Sequence, residues 1–187
     1  MGSVLGPGLA AAGHVLVDRL ADAEAMVDFT VPDAVAGNVR AAVAADVPCV
    51  VGTTGWDPSE FADAPVAVFY APNFALGAVL MMRFAEEASR VMERAEIVEL
   101  HHAAKLDAPS GTARLTAERM HGDVPIHSVR LPGLNAHQAV ILGGPGETLT
   151  IRHDALSREA YTPGVLLALE RLPGMLPGLT VGLDSLM

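Results

Sequence analysis

The chain has 187 residues, a formal net charge of −10, 51% apolar residues and only 18% charged ones. This composition excludes global disorder, and its acidity without a basic run excludes a nucleic-acid partner, which needs clustered Lys and Arg. The apolar stretches are broken by Asp, Arg, His or Pro before the roughly 18 residues that would mark a membrane span.

No basic segment leading into a continuous apolar run marks a secretory leader. Cys49, the single cysteine, lies in Val47-Pro-Cys-Val-Val51 and reads as a small buried hydrophobe. A lone cysteine allows no intrachain disulfide, which fits a reducing, cytoplasmic setting.

In chain order, residues 1–20 begin with Gly and Ala and turn into a short helical pattern over 14–20. Ala25-Met-Val-Asp-Phe-Thr30 is short, branched and apolar, and predicts a buried strand. Pro32-Asp33 opens a helix ending near Asp46, because Pro is tolerated in a first turn and Asp suits its positive end. Pro48-Cys-Val-Val51 and Ala67-Val-Phe-Tyr70 are further strands, closed by Gly52-Thr-Thr-Gly55 and Ala71-Pro-Asn-Phe74.

A long helix is predicted over 76–93, a strand over 97–101 and a helix over 112–120. Strands follow at 127–130, 137–142 and 147–153, the last two joined by the hairpin signal Gly143-Gly-Pro-Gly146. Pro163 starts a final helix to about Arg171, and Pro-Gly pairs punctuate the tail.

This order predicts an α/β fold: a partial Rossmann-like parallel sheet followed by an α+β lobe with a mixed sheet. The expected divisions are a nucleotide-binding-type domain over 1–75 and a substrate-binding and oligomerisation lobe over 76–165. A C-terminal helix and tail over 166–187 return to the first domain. Ligands of such sheets bind beyond the carboxyl ends of the strands, where Thr30, Gly52–Gly55 and Ala71–Phe74 fall.

The chemistry concentrates in Glu99-Leu-His-His-Ala-Ala-Lys-Leu-Asp-Ala-Pro-Ser-Gly-Thr-Ala113. His101 can exchange a proton near neutral pH, and Lys105 can bind a carboxylate and assist a proton step. Ser110-Gly111-Thr112 leads into a helix whose free N–H groups suit a second carboxylate, with Asp107 or Ser110 as its cap. Adjacent histidines on a strand point to opposite faces, and no cysteine or third nearby histidine joins them, so no metal site is expected.

This run resembles the signature of the dihydrodipicolinate (4-hydroxy-tetrahydrodipicolinate) reductase family, nicotinamide-dependent enzymes of lysine and diaminopimelate synthesis. The resemblance implies that NADPH or NADH reduces a ring C=N bond in a small anionic dicarboxylate. It implies His101 as proton donor or acceptor, Lys105 as a second proton donor, and His102, Gly111 and Thr112 as substrate contacts. Val27-Asp-Phe-Thr-Val-Pro-Asp-Ala-Val35 is similar to the family segment lining the cofactor pocket. The loop Gly52, Thr53, Thr54 and the loop Ala71, Pro72, Asn73, Phe74 are similar to the two loops that meet the nicotinamide. The C-terminal lobe's sheet builds the family's tetramer, so a homo-oligomer, tetramer or dimer, is implied.

The resemblance runs from about residue 25 to the end. The family opens with a strand and a glycine-rich phosphate loop that residues 1–24 do not reproduce. Val4–Ala11 fits G-x-G-x-x-A, a weak fingerprint without a strand before it, and reads as coincidence. The segments 56–66 and 113–126 are also short. These departures motivate two alternatives: a cofactor-independent relative using His101 and Lys105 for proton transfer, isomerisation or cyclisation, and a non-catalytic oligomer-forming copy.

Overall fold

A computed structural model describes residues 1–187. The first helix, α1 (Gly2–Ala11), precedes a single 3-10 turn and strand β1 (Met26–Asp28). Helix α2 (Pro32–Ala44), β2 (Cys49–Val51) and β3 (Ala67–Tyr70) follow, then α3 (Leu76–Ser89) and β4 (Arg94–His101). Helix α4 (Gly111–Arg119) leads to β5 (Ile126–Arg130), β6 (Ala136–Gly144) and β7 (Glu147–Ala155). Helix α5 (Thr162–Arg171) and strand β8 (Gly178–Val181) complete the chain.

The fold is α/β, as the pattern of elements predicts. The chain divides into two compact units, one formed by residues 1–76 and 158–187, the other by 77–157. In the first, four strands run parallel in the order β1-β2-β3-β8. The central strands β2 and β3 are apolar on both faces, as a sheet covered on both sides requires. Helix α2 buries Val35, Val39 and Ala42 against Val47, Cys49, Val51 and Val68. Each such side chain contributes about 1.5–3 kcal/mol on leaving water. Burial, and then the negative charge of Asp28, push the Cys49 thiol up to about 12, so this sulfur is a core atom and not a nucleophile.

In the second unit the sheet order is β5-β4-β6-β7. Strand β4 pairs parallel with β5 and antiparallel with β6, and β6 pairs antiparallel with β7 through the two-residue turn Pro145–Gly146. One face buries Ile97, Val140 and Leu142 completely. Glu99 lies on that same face, two residues along β4 from Ile97, and is itself wholly buried.

Three expectations are corrected. The helix expected over 14–20 does not form, a 3-10 turn follows only at Leu20–Asp22, and the helix lies earlier, in α1. Gly13, with φ of 95°, ends α1, and Val15 and Val17 are β-branched residues that favour extended backbone. Helix α3 stops at Ser89 rather than near Glu93, where the Ser89 hydroxyl donates back to the Glu86 carbonyl. Strand β8, hidden in the Pro-Gly tail, extends the parallel sheet.

Candidate active site

Strand β4 alternates its side chains, so Glu99 and His101 share one face and their side chains meet. The His101 Nδ1 lies 2.5 Å from Glu99 Oε2. Arg130, at the end of β5 and paired in register with His101, reaches the same carboxylate. Its Nη1 donates to Oε2 at 2.9 Å and its Nη2 to Oε1 at 2.7 Å. The backbone N–H of Ser110 donates to Oε1 at 3.2 Å, which ties the start of α4 to β4.

Ser110, not Asp107, caps α4. Its Oγ accepts from the Ala113 N–H at 3.2 Å. Asp107 instead pairs with Lys105, Nζ to Oδ1 at 2.7 Å, and its carbonyl accepts from Arg130 Nη2 at 2.7 Å. His101 and the start of α4 are thus bonded to one buried carboxylate, and Arg130 ties it to the loop carrying Lys105. His102 and Gly111 are exposed beside them, and a Cβ at Gly111 would meet nothing.

Burial alone would raise the Glu99 carboxyl. Hydrogen bonds from Arg130, Ser128 and His101 outweigh it and hold the group at about 2. Burial also lowers His101, helped by the charges of Lys105 and Arg130 and opposed by Glu99, and the net direction is downward. An ionised Glu99 can only accept, so the neutral imidazole carries its proton on Nδ1 and leaves Nε2 open.

The folded Glu99 lies below its ordinary 4.5. The stability it contributes is therefore complete above pH 4.5 and is lost as pH falls toward 2. Urea unfolding at stepped pH should show the free energy declining across that window. A flat profile there would contradict the paired state of Glu99.

The other candidate residues lie in the first unit, at the carboxyl edge of its parallel sheet. Gly52, Thr53 and Thr54 leave β2, and Ala71 to Phe74 leave β3. Asp28, ending β1 and only 3% exposed, organises this edge. It accepts from the Thr30 N–H at 3.0 Å and the Thr30 hydroxyl at 2.8 Å. Asn38 of α2 donates at 2.7 Å and the Thr53 hydroxyl at 2.8 Å. Burial pushes Asp28 up, but these four neutral donors pull it lower still, and the net direction is down. Replacing Asp28 with Ala leaves buried donors without an acceptor, and should cost at least about 1–3 kcal/mol in denaturant unfolding.

Any side chain at Gly52 would collide with the Phe29 ring, so the β2 loop passes close to β1 only as glycine. Phe29 packs on Phe74 with centroids 5.2 Å apart, which joins the β1 end to the β3 loop. Val4–Ala11 lies entirely within α1, so its glycines form no strand-to-helix phosphate turn.

The chain matches the family models for the N-terminus of dihydrodipicolinate reductase over residues 7–74 and for its C-terminus over residues 77–187. The chain belongs to the dihydrodipicolinate reductase family. The N-terminal match corrects the expectation that the likeness begins near residue 25. A 4-hydroxy-tetrahydrodipicolinate reductase of Desulfitobacterium hafniense is 48% identical, over 87% of this chain and 73% of that protein. The counterpart from Cutibacterium acnes is 46% identical over 88% of this chain and 81% of its own length. Among solved structures, dipicolinate-bound dihydrodipicolinate reductase from Paenisporosarcina sp. TG-14 aligns with a TM-score of 0.79 at 31% identity, covering 96% of this chain and 84% of that one.

As a member of this reductase family, the chain is an NAD(P)H-dependent oxidoreductase of lysine and diaminopimelate synthesis that reduces 4-hydroxy-tetrahydrodipicolinate. Nothing in the fold or the comparisons favours the cofactor-independent or non-catalytic alternatives. Sequence reasoning missed the roles of Glu99, Arg130 and Asp28. The available signal was a carboxylate two residues before His101, set between the apolar residues Ile97, Val98 and Leu100.

Proposed function

We propose that His101 delivers the proton to the substrate's ring nitrogen through Nε2, with Lys105 as carboxylate anchor and second proton donor. The bound nicotinamide supplies the hydride, held by the loops Gly52–Thr54 and Ala71–Phe74. One substrate carboxylate sits against Lys105 and His102, and the other against the N–H groups of Gly111 and Thr112, where the helix end is positive. The observation that carries this reading is that His101 and the start of α4 bond to the buried Glu99, and that Arg130 ties the same carboxylate to the Asp107 carbonyl in the loop carrying Lys105.

A dianionic substrate also explains why a lowered histidine suits the task. In this scheme two incoming carboxylates raise the proton affinity of the nearby imidazole and favour uptake from solvent, at Nε2, of the proton that is then delivered. The dicarboxylate bound to the Paenisporosarcina relative supports that substrate class.

The cofactor is NADPH or NADH, and calorimetric titration with each distinguishes them. Micromolar binding, followed by turnover with 4-hydroxy-tetrahydrodipicolinate, is the expected result. Absence of binding at millimolar cofactor would sink this reading. We further propose a cytoplasmic homo-oligomer, tetramer or dimer, associated through the sheet that carries β6 and β7, where Ile141 and Leu149 are exposed. Sedimentation as a monomer would overturn the second part.

A further inference from the structure

A buried carboxylate–guanidinium pair is a poor way to stabilise a fold, because apolar residues of similar volume commonly do as well or better. The bonds of Glu99 and Arg130 nevertheless run to one place. Glu99 reaches His101 and the Ser110 N–H, and Arg130 reaches Glu99 and the Asp107 carbonyl in the loop carrying Lys105. Each partner lies on a segment that bears a proposed substrate contact.

We infer that the Glu99–Arg130 pair is the positioning element of the site: the Glu99 carboxylate fixes His101 as the Nδ1–H tautomer with Nε2 free for the substrate's proton, and Arg130 clamps the Lys105 loop through the Asp107 carbonyl. The inference rests on His101 as the proton donor, and neither residue touches the substrate in this scheme. The charged groups facing His101 are Glu99 from its own strand, Arg130 from β5 and Lys105 from the loop, with Asp107 neutralising Lys105. Glu99 is the one anion in contact with the ring. Removing its charge leaves two cations acting on the imidazole, which disfavours the imidazolium.

The test compares Glu99→Gln, Glu99→Asp and the unaltered protein. In the unaltered protein, nitrogen NMR of the His101 ring, assigned with His101→Gln, should show the neutral ring protonated at Nδ1. A neutral ring protonated at Nε2 would overturn the inference without any variant. In Glu99→Gln the His101 titration should move down by about one pH unit or more, equivalent to tenfold or more in protonated fraction at a fixed pH above it. The basic limb of kcat/KM, which reports the essential acid of the free enzyme, should move with it.

Glu99→Asp keeps the charge and should hold the limb near its original position even where kcat falls. A merely structural role would lower kcat/KM equally at every pH and leave the limb in place, and that result would also overturn the inference. If Glu99→Gln does not fold, Arg130→Lys supplies the second readout: reduced kcat with the His101 tautomer retained. Loss of the Nδ1–H tautomer in that variant would assign its control to Arg130, against the scheme. The NMR measurement needs no turnover, so failure of the reductase assay and failure of this inference are separate outcomes.

Discussion

His101→Gln is expected to lower kcat for 4-hydroxy-tetrahydrodipicolinate reduction by about 10²–10⁴-fold, the usual worth of a positioned general acid. Glutamine is close to imidazole in size and can still accept or donate toward Glu99, so the sheet and the start of α4 should remain folded. The loss should appear in kcat more than in KM, because the proton moves in the transition state while the carboxylates are held elsewhere. Lys105→Ala should differ. Its side chain, 23% exposed and paired with Asp107, is proposed both to anchor a carboxylate and to assist the proton step, so KM should rise as kcat falls. The double variant should lose less than the product of the two single losses, since both act on one proton transfer. Steady-state kinetics with each purified variant checks this, and unchanged kcat in His101→Gln would remove His101 from the mechanism.

Gly164→Ala is expected to be the most damaging single methyl group added to the protein. Gly164 lies in α5, and a Cβ there would fall on the carbonyl oxygen of Phe74 and within 2.9 Å of Leu183 Cδ2. The first of these is backbone and cannot rotate away, so α5 or the β3 loop must shift. Such overpacking should cost about 3 kcal/mol or more, a fall in Tm on the order of 6–12 °C for a chain of this size. Because Phe74 ends the loop proposed to hold the nicotinamide, cofactor affinity should fall in the same variant. Calorimetric melting and cofactor titration test both, and an unchanged Tm would show that the approach of α5 to Phe74 is not tight.

Much of the first sheet was legible because its strands are marked locally. Ala67–Tyr70 is a run of apolar and aromatic residues bounded by Pro65 and Pro72, and the structure places β3 over the same residues. Strand β8 could not be read in this way. Gly178-Leu-Thr-Val181 is short, sits between turn residues, and becomes a strand only by pairing with β3. Helix α1 was hidden for the opposite reason: three glycines and an internal proline argue against a helix on propensity. Its packing overrides that, with Gly8 closely facing the Thr162 side chain at the start of α5.

The same division holds for the site. His101, Lys105 and Ser110–Thr112 were visible as residue types suited to a task. Glu99 was not, because burial and pairing decide what a carboxylate does, and both depend on Arg130, 31 residues further along the chain. Asp28 was likewise invisible as an organiser, since beyond the neighbouring Thr30 its donors come from α2 and from the β2 loop.

The placement of β8 also constrains how the polypeptide reaches its native state on the ribosome. Residues 77–157 form a contiguous unit and can collapse as soon as they emerge. The parallel sheet cannot be completed until residues 178–181 have been synthesised, because they form its fourth strand beside β3. The first unit is therefore closed late, by a contact of long sequence separation, and should be the slower of the two to mature after translation.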